Sequence, residues 1–292
     1  ESDVSLAVSR LNRIIEIQKI LIDQIRVLET MTAMDFLEFR DDLFPSSGFQ
    51  SAQFRLLENK LGLLKNERIN YGRQDYKNVI LDEEKIKVKQ SENERSLFEL
   101  LETWLERTPF LSFEGFSFWK QYSDAVRSML KKEKTVIRTN PNHTKTEIEI
   151  HLKEHERAVA SFEAMISPEK HNELIEKKKK RLSHKATQAA LLIFLYRDEP
   201  ILHSPFNLLS RIMDVDELFT TWRQRHALMV RRMIGAKIGT GGSSGHAYLQ
   251  ATADRHKVFA ELADLSTFFI PRSALPELPE HIKQNLGYHF KS

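Results

Sequence analysis

The chain has 292 residues, enough for one large domain or two ordinary ones, with 41% hydrophobic and 29% charged residues, a balance that supports a packed core. Cysteine is absent, which excludes disulfides, thiolate zinc sites and iron–sulfur clusters, so a metal must be held by histidine, carboxylates or an organic ligand. Forty-four Lys and Arg against 41 Asp and Glu leave a net charge of +3, too even to argue for nucleic acid, and no run of about 18 uncharged apolar residues exists to cross a membrane. With only 10 glycines and 9 prolines the chain is poor in breakers and reads as helical. It lacks an initiator Met and opens inside a periodic pattern, so the natural N-terminus is expected upstream.

From Val4, apolar residues recur at Val8, Leu11, Ile14/Ile15, Leu21/Ile22, Ile25, Leu28 and Met31. That spacing predicts an amphipathic helix to about Phe39, roughly 50 Å long, broken by Phe44-Pro45-Ser46-Ser47-Gly48. Helices are predicted next over Gln50–Asn66, Glu92–Arg107 ahead of Pro109, and Phe116–Val136. After the turn Thr139–Asn142 comes a charged helical stretch, Thr146 to about Arg181, interrupted at Ser167-Pro168 and ending in the basic run Lys177–Arg181. Ser183–Tyr196 is apolar enough for a central buried helix, closed by Pro200 and Pro205. Helices over Phe206–Met213, Asp216–Ile234 and Ser244–Leu265 follow, then a proline-punctuated tail. No useful strand alternation occurs. The expected fold class is all-α: a bundle of long helices forming one domain over 1–292, with a charged helical excursion at about 140–182 and a C-terminal tail at 271–292.

Several segments carry candidate chemistry. His151-Leu152-Lys153-Glu154-His155 matches H-x-x-E-H, a zinc-peptidase pattern, but its charged neighbours and the lack of a spaced third ligand favour a solvated helix. The run Lys177–Arg181 lacks interleaved aromatics and reads as a solvated face rather than a phosphate site. Gly235 to Gly245 holds five of the ten glycines, with neither a phosphate-loop Lys nor a preceding strand. It is either a flexible linker or a loop whose backbone approaches a ligand closely.

The helix before it carries an apolar stripe through Leu218/Phe219, Trp222, Met229/Val230 and Met233/Ile234, and His226 lies in that stripe. A histidine there is either a hydrogen-bonded core residue or, as a neutral imidazole in an apolar pocket, a proximal ligand for haem iron. Phe36 and Arg40 stand one helical turn apart. An aromatic wall beside a guanidinium fork suits an aromatic carboxylate, and a helix-end Arg paired with an acid is the plainer alternative.

Glu29-Thr30-Met31-Thr32-Ala33-Met34-Asp35-Phe36, Ser47-Gly48-Phe49-Gln50-Ser51 with Gln53 to Lys60, Trp104-Leu105-Glu106-Arg107-Thr108-Pro109 and Gly239-Thr240-Gly241-Gly242-Ser243-Ser244-Gly245 together resemble the tryptophan 2,3-dioxygenase family, over most of the chain. The resemblance implies an all-α, cytoplasmic homotetramer (a dimer of dimers) that binds haem b, active as Fe2+, and uses O2 to open the pyrrole ring of L-tryptophan, giving N-formyl-L-kynurenine. It implies His226 as the proximal iron ligand and Ser47, Gly48, Arg55 and Trp222 as haem-pocket positions, with Arg55 toward a propionate. It implies Arg40 on the substrate carboxylate, Phe36 on the indole and Thr240 on the ammonium. The family's distal His comes from a segment upstream of the first helix and has no counterpart in these 292 residues. The expectation is therefore either a cleaved N-terminal fragment held as a separate chain or a shortened polypeptide. A helical interaction protein with a glycine joint and a zinc hydrolase built on His151 and His155 are the competing functional classes.

Overall fold

A computed structural model describes residues 2–44, 46, 51–69, 80, 82–108, 112–113, 116–240, 245–280 and 283. Twelve α-helices follow one another among them: α1 Ser2–Leu28, α2 Ala33–Phe39, α3 Ala52–Leu61, α4 Asp82–Ser91, α5 Leu97–Glu106, α6 Phe118–Thr139, α7 Lys145–Ile166, α8 Pro168–Glu176, α9 His184–Leu195, α10 Pro200–Ile234, α11 His246–Arg255 and α12 Ala260–Asp264. The one β element described is a two-residue antiparallel pair, Ser112 opposite Ser117 and Phe113 opposite Phe116. The all-α class expected from the sequence holds. None of the described helices is long and apolar enough to cross a membrane. The chain forms two compact units, residues 1–101 with 210–260 and residues 102–209 with 261–292.

In the first unit, the long helix expected to reach Phe39 stops at Leu28. The Thr32 hydroxyl accepts the Asp35 amide at 3.2 Å while the Asp35 carboxylate accepts the Thr32 amide at 3.2 Å and hydroxyl at 2.6 Å. This reciprocal box satisfies donors that a new helix start leaves bare, so α2 begins there and carries Phe36. Leu11, Ile15 and Ile25 bury one face of α1, whereas Ile14, Ile17 and Leu21 are exposed. The Gln18 amide of α1 donates to the Val215 carbonyl at 3.0 Å.

Helix α3 ends five residues short of the expected Asn66, because Gly62 adopts φ 103° and its amide returns to the Glu58 carbonyl. Helix α4 was not foreseen; its Val88 packs with Ala52, Leu56 and Ile80. Helix α5 starts at Leu97 rather than Glu92, since Ser96 and Glu99 form a second reciprocal cap. The two helices expected on either side of Asp214, Phe206–Met213 and Asp216–Ile234, are one 35-residue helix, α10, about 52 Å long. Pro205 lies near its start and removes a single ladder bond, to the Ile201 carbonyl, which the helix tolerates. Asp216 does not cap a helix. Its carboxylate accepts the Val258 and Phe259 amides at 3.1 and 2.9 Å, and this is where the expected Ser244–Leu265 helix divides into α11 and α12.

In the second unit, Ala186, Ala189–Ile193 and their neighbours make α9 the buried helix its sequence predicted. Phe118 and Tyr122 of α6 stack at 5.5 Å, and the Tyr122 hydroxyl donates to the Phe268 carbonyl. The charged excursion is less solvated than its composition suggests. His155 is buried with Nε2 2.8 Å from the Leu130 carbonyl, fixing α7 on α6, and fully buried His171 bonds the Leu182 carbonyl at 2.8 Å. His151 stays exposed beside Glu154, so the two histidines of the H-x-x-E-H pattern have different surroundings. No cluster of three or more metal-ligating side chains occurs among the described residues.

Candidate functional site

The first unit contains a partly open cavity of about 440 Å³, within the span usual for cofactor and small-molecule sites, roughly 300–1,000 Å³. One wall is the inward stripe of α10: Trp222, His226, Met229, Val230, Met233 and Ile234. These stand at successive helical turns, so one continuous helix aims all of them at the same space. The Trp222 and His226 rings lie 5.2 Å apart. His226 makes no hydrogen bond to a described residue, and burial lowers its pKa below the usual histidine value, so the imidazole is neutral near pH 7 with an uncommitted lone pair. A core histidine with both nitrogens satisfied was the competing reading of this residue, and it does not fit.

The facing rim comes from α2 and the loop after α10. Phe36 and Arg40 both line the cavity. One Arg40 Nη donates to the Ile238 carbonyl at 2.5 Å, while its Nε is buried with no partner among the described residues. The alternative of a helix-end Arg paired with an acid is weakly met: the Asp41 carboxylate stands 3.8 Å away and almost fully exposed. Thr240 also lines the cavity, and its hydroxyl donates to the Ser46 carbonyl at 2.8 Å. These two hydrogen bonds join the end of α2 to the glycine-rich loop across almost 200 residues of sequence. At the loop's far end, Gly245 has φ 55°, and a Cβ there would lie 3.2 Å from Ile234 Cδ1. Small size and a left-handed conformation are both required at that position. Ser47 and Gly48, and residues 241–244 of the loop, lie outside the described residues.

Beneath the aromatic wall is a charged floor that sequence reading largely missed. Glu58 is buried, and its carboxylate accepts from Arg55 Nη1 at 2.7 Å, Arg223 Nη2 at 3.0 Å and His256 Nδ1 at 3.1 Å, with Arg68 Nε 3.6 Å away. The Ile69 amide donates to His256 Nε2 at 3.2 Å, so His256 is the neutral Nδ1–H tautomer. Burial opposes the charge on Glu58, but the His256 hydrogen bond and the Arg55 and Arg223 charges prevail and hold its carboxyl down to about 2. Phe54 lies with its ring 5.6 Å from that of Trp222, and the Arg223 guanidinium sits 5.3 Å over Phe54. Arg55, Trp222, Phe36, Arg40, Thr240 and His226 thus share one cavity, together with Phe54, Glu58, Arg223, Tyr248 and His256. Arg55 and Glu58, three apart on one helix, were the one local hint of the floor. Its other members come from far along the chain.

The cavity thus combines an apolar wall that carries a neutral imidazole without a hydrogen bond and a facing rim that carries a buried, unpartnered guanidinium donor. A sequence model described as tryptophan 2,3-dioxygenase matches residues 2–269. The chain belongs to the tryptophan 2,3-dioxygenase family. It is 47% identical to the tryptophan 2,3-dioxygenase of Dictyostelium discoideum over 282 residues, covering 96% of this chain and 70% of that one. The Bdellovibrio bacteriovorus enzyme of the same name is 46% identical over 290 residues, covering 99% and 81%. Tryptophan 2,3-dioxygenase B of Danio rerio is 45% identical over 284 residues, covering 97% and 69%. Across the tryptophan 2,3-dioxygenase relatives the likeness runs through both compact units, so the cavity-bearing unit is not an isolated match.

Proposed function

We propose that this protein is a haem-dependent dioxygenase that inserts both atoms of O2 across the indole C2–C3 bond of L-tryptophan, giving N-formyl-L-kynurenine. The observation that carries this reading is His226, a neutral, hydrogen-bond-free imidazole facing a largely apolar cavity in a chain of this family. Bound there, haem b iron in the ferrous state supplies the activation of O2 that a closed-shell indole cannot achieve alone. His226 is the residue to hold that iron from the α10 side, with Trp222 packed beside its ring, and Arg55 is the residue for an acidic side group of the porphyrin. The family resemblance adds Ser47 and Gly48 to that pocket.

The chain's own work is orientation. Arg40 forms charge-assisted hydrogen bonds to the substrate carboxylate, Thr240 accepts from its ammonium, and Phe36 packs on the indole face. Three fixed points on one substrate restrict its side-chain torsions and set which ring bond faces the oxidant. Such positioning can supply roughly 7–11 kcal/mol of a barrier. The aromatic and methionine lining keeps water away from the reacting ring. Because both oxygen atoms end in the product, turnover consumes no external reductant.

The protein is read as a cytoplasmic homotetramer. The exposed apolar residues Ile14, Ile17, Leu21 and Leu28 on α1 support association with further copies, since contiguous apolar faces are rarely left in water. A cysteine-free chain also requires no oxidising compartment. The reaction is tested with 18O2. Haem-loaded protein given L-tryptophan is expected to release N-formylkynurenine carrying both labels, and a product with one label or none overturns dioxygenation.

A further inference from the structure

Of the charged side chains lining the cavity, Arg40, Arg55 and Arg223 are cations and Glu58 is the sole carboxylate among the described residues. Glu58 is nearly inaccessible to solvent and is ringed by three guanidiniums, those of Arg55, Arg223 and Arg68. A fourth neighbour, His256, turns Nδ1 to the same carboxylate while its Nε2 accepts the Ile69 amide. The next buried acid, Asp216, spends its oxygens on the Val258 and Phe259 amides and lines no part of the cavity. Among the described residues, one side chain therefore carries the negative charge at the cavity wall. The three arginines bond or stack within the same cluster, so the local field is fixed rather than adaptable.

We propose that Glu58 is a positioning residue for this site, the electrostatic counterweight that fixes Arg55 and Arg223 in one arrangement and sets the reduction potential of the iron held by His226. The inference rests on the haem reading above. A fixed negative charge in a low-dielectric surround disfavours the reduced, less positive iron, and its removal favours it. Glu58 stays ionised throughout the working pH range, so the counterweight is constant and does not itself titrate near neutrality.

The test compares haem-loaded wild type, Glu58→Gln and Glu58→Asp by spectroelectrochemistry. Glu58→Gln is expected to raise the iron potential. Glu58→Asp keeps the charge and is expected to return it close to the wild-type value. A purely structural role would change thermal stability in both variants and leave the potential where it was. Should Glu58→Gln fail to fold with three buried cations unbalanced, Arg68→Gln is compared with Arg68→Gln/Glu58→Gln, where the same upward shift is expected. An unchanged or lowered potential in Gln variants that retain their porphyrin absorption overturns this inference alone. Wild-type protein that takes up no porphyrin overturns the haem reading and this inference with it.

Discussion

Replacing Arg40 with Met removes the guanidinium while keeping much of the side chain's apolar bulk. In the structure one Arg40 Nη is committed to the Ile238 carbonyl at 2.5 Å, and Nε is buried and unpartnered. Nε and the other Nη are therefore the donors to offer a substrate carboxylate. A hydrogen bond to a charged group contributes about 1.5–3 kcal/mol net. The Arg40 side chain is 23% exposed, so solvent screening argues for the low end of that range for the pair taken together. A loss of about 1.4–2 kcal/mol corresponds to a rise in KM for L-tryptophan of roughly 10- to 30-fold. Losing the Ile238 tether also frees the segment that presents Thr240, which adds to the effect on orientation. Steady-state kinetics with L-tryptophan and with tryptamine, which lacks the carboxylate, separate the two contributions. Wild type is expected to prefer tryptophan strongly, and Arg40→Met to lose most of that preference. Unchanged KM for tryptophan, or an equal loss with both substrates, would refute a carboxylate contact at Arg40.

Two further predictions concern stability. Gly62→Ala places a Cβ 2.9 Å from both Phe98 Cβ and Ser96 Oγ at a φ of +103°, and a cost of at least about 1–3 kcal/mol should appear as a lowered Tm in thermal unfolding. His171 is buried and its pKa is lowered, mainly by burial, with the Lys180 charge and neighbouring His184 acting in the same sense and the bond to the Leu182 carbonyl opposing them. The unfolded chain then binds a proton that the folded one refuses. Stability is full above the unfolded histidine pKa of about 6.5 and falls as pH drops toward the lower folded value. Denaturant titrations between pH 8 and about 5 should show that decline, and His171→Gln should flatten it by up to one proton's worth of slope. An unaltered slope would show that His171 is not the group responsible.

What the sequence disclosed depended on whether the physical cause was local. The stripe that puts Trp222 and His226 on one face of α10 is a helical period, and the structure brings the same residues to one wall. The Phe36–Arg40 spacing survives even though the helix breaks between Leu28 and Ala33, because both residues fall after the break. That break was itself legible as Thr32-x-x-Asp35, but the apolar period running across it masked the cap. The floor of the site was hidden for a different reason. Glu58 meets Arg223 across 165 residues and His256 across 198, and no spacing rule reaches that far. Asp216 likewise resembles a helix cap in sequence but turns to two amides more than 40 residues away. His155 and His171 sit in charged surroundings that read as solvated, yet each faces inward and holds a backbone carbonyl. Charge composition describes the outward side of a helix and says little of the single polar residue on its buried side.

The central claim is that His226 holds haem iron, and the absorption spectrum of the purified protein with and without dithionite tests it most directly. The account predicts an intense Soret band in wild type, with one haem per chain, that is lost or displaced in His226→Ala while the helical circular dichroism is retained. A colourless protein that still oxidises tryptophan at full rate, or a His226→Ala variant with an unaltered spectrum, would contradict it.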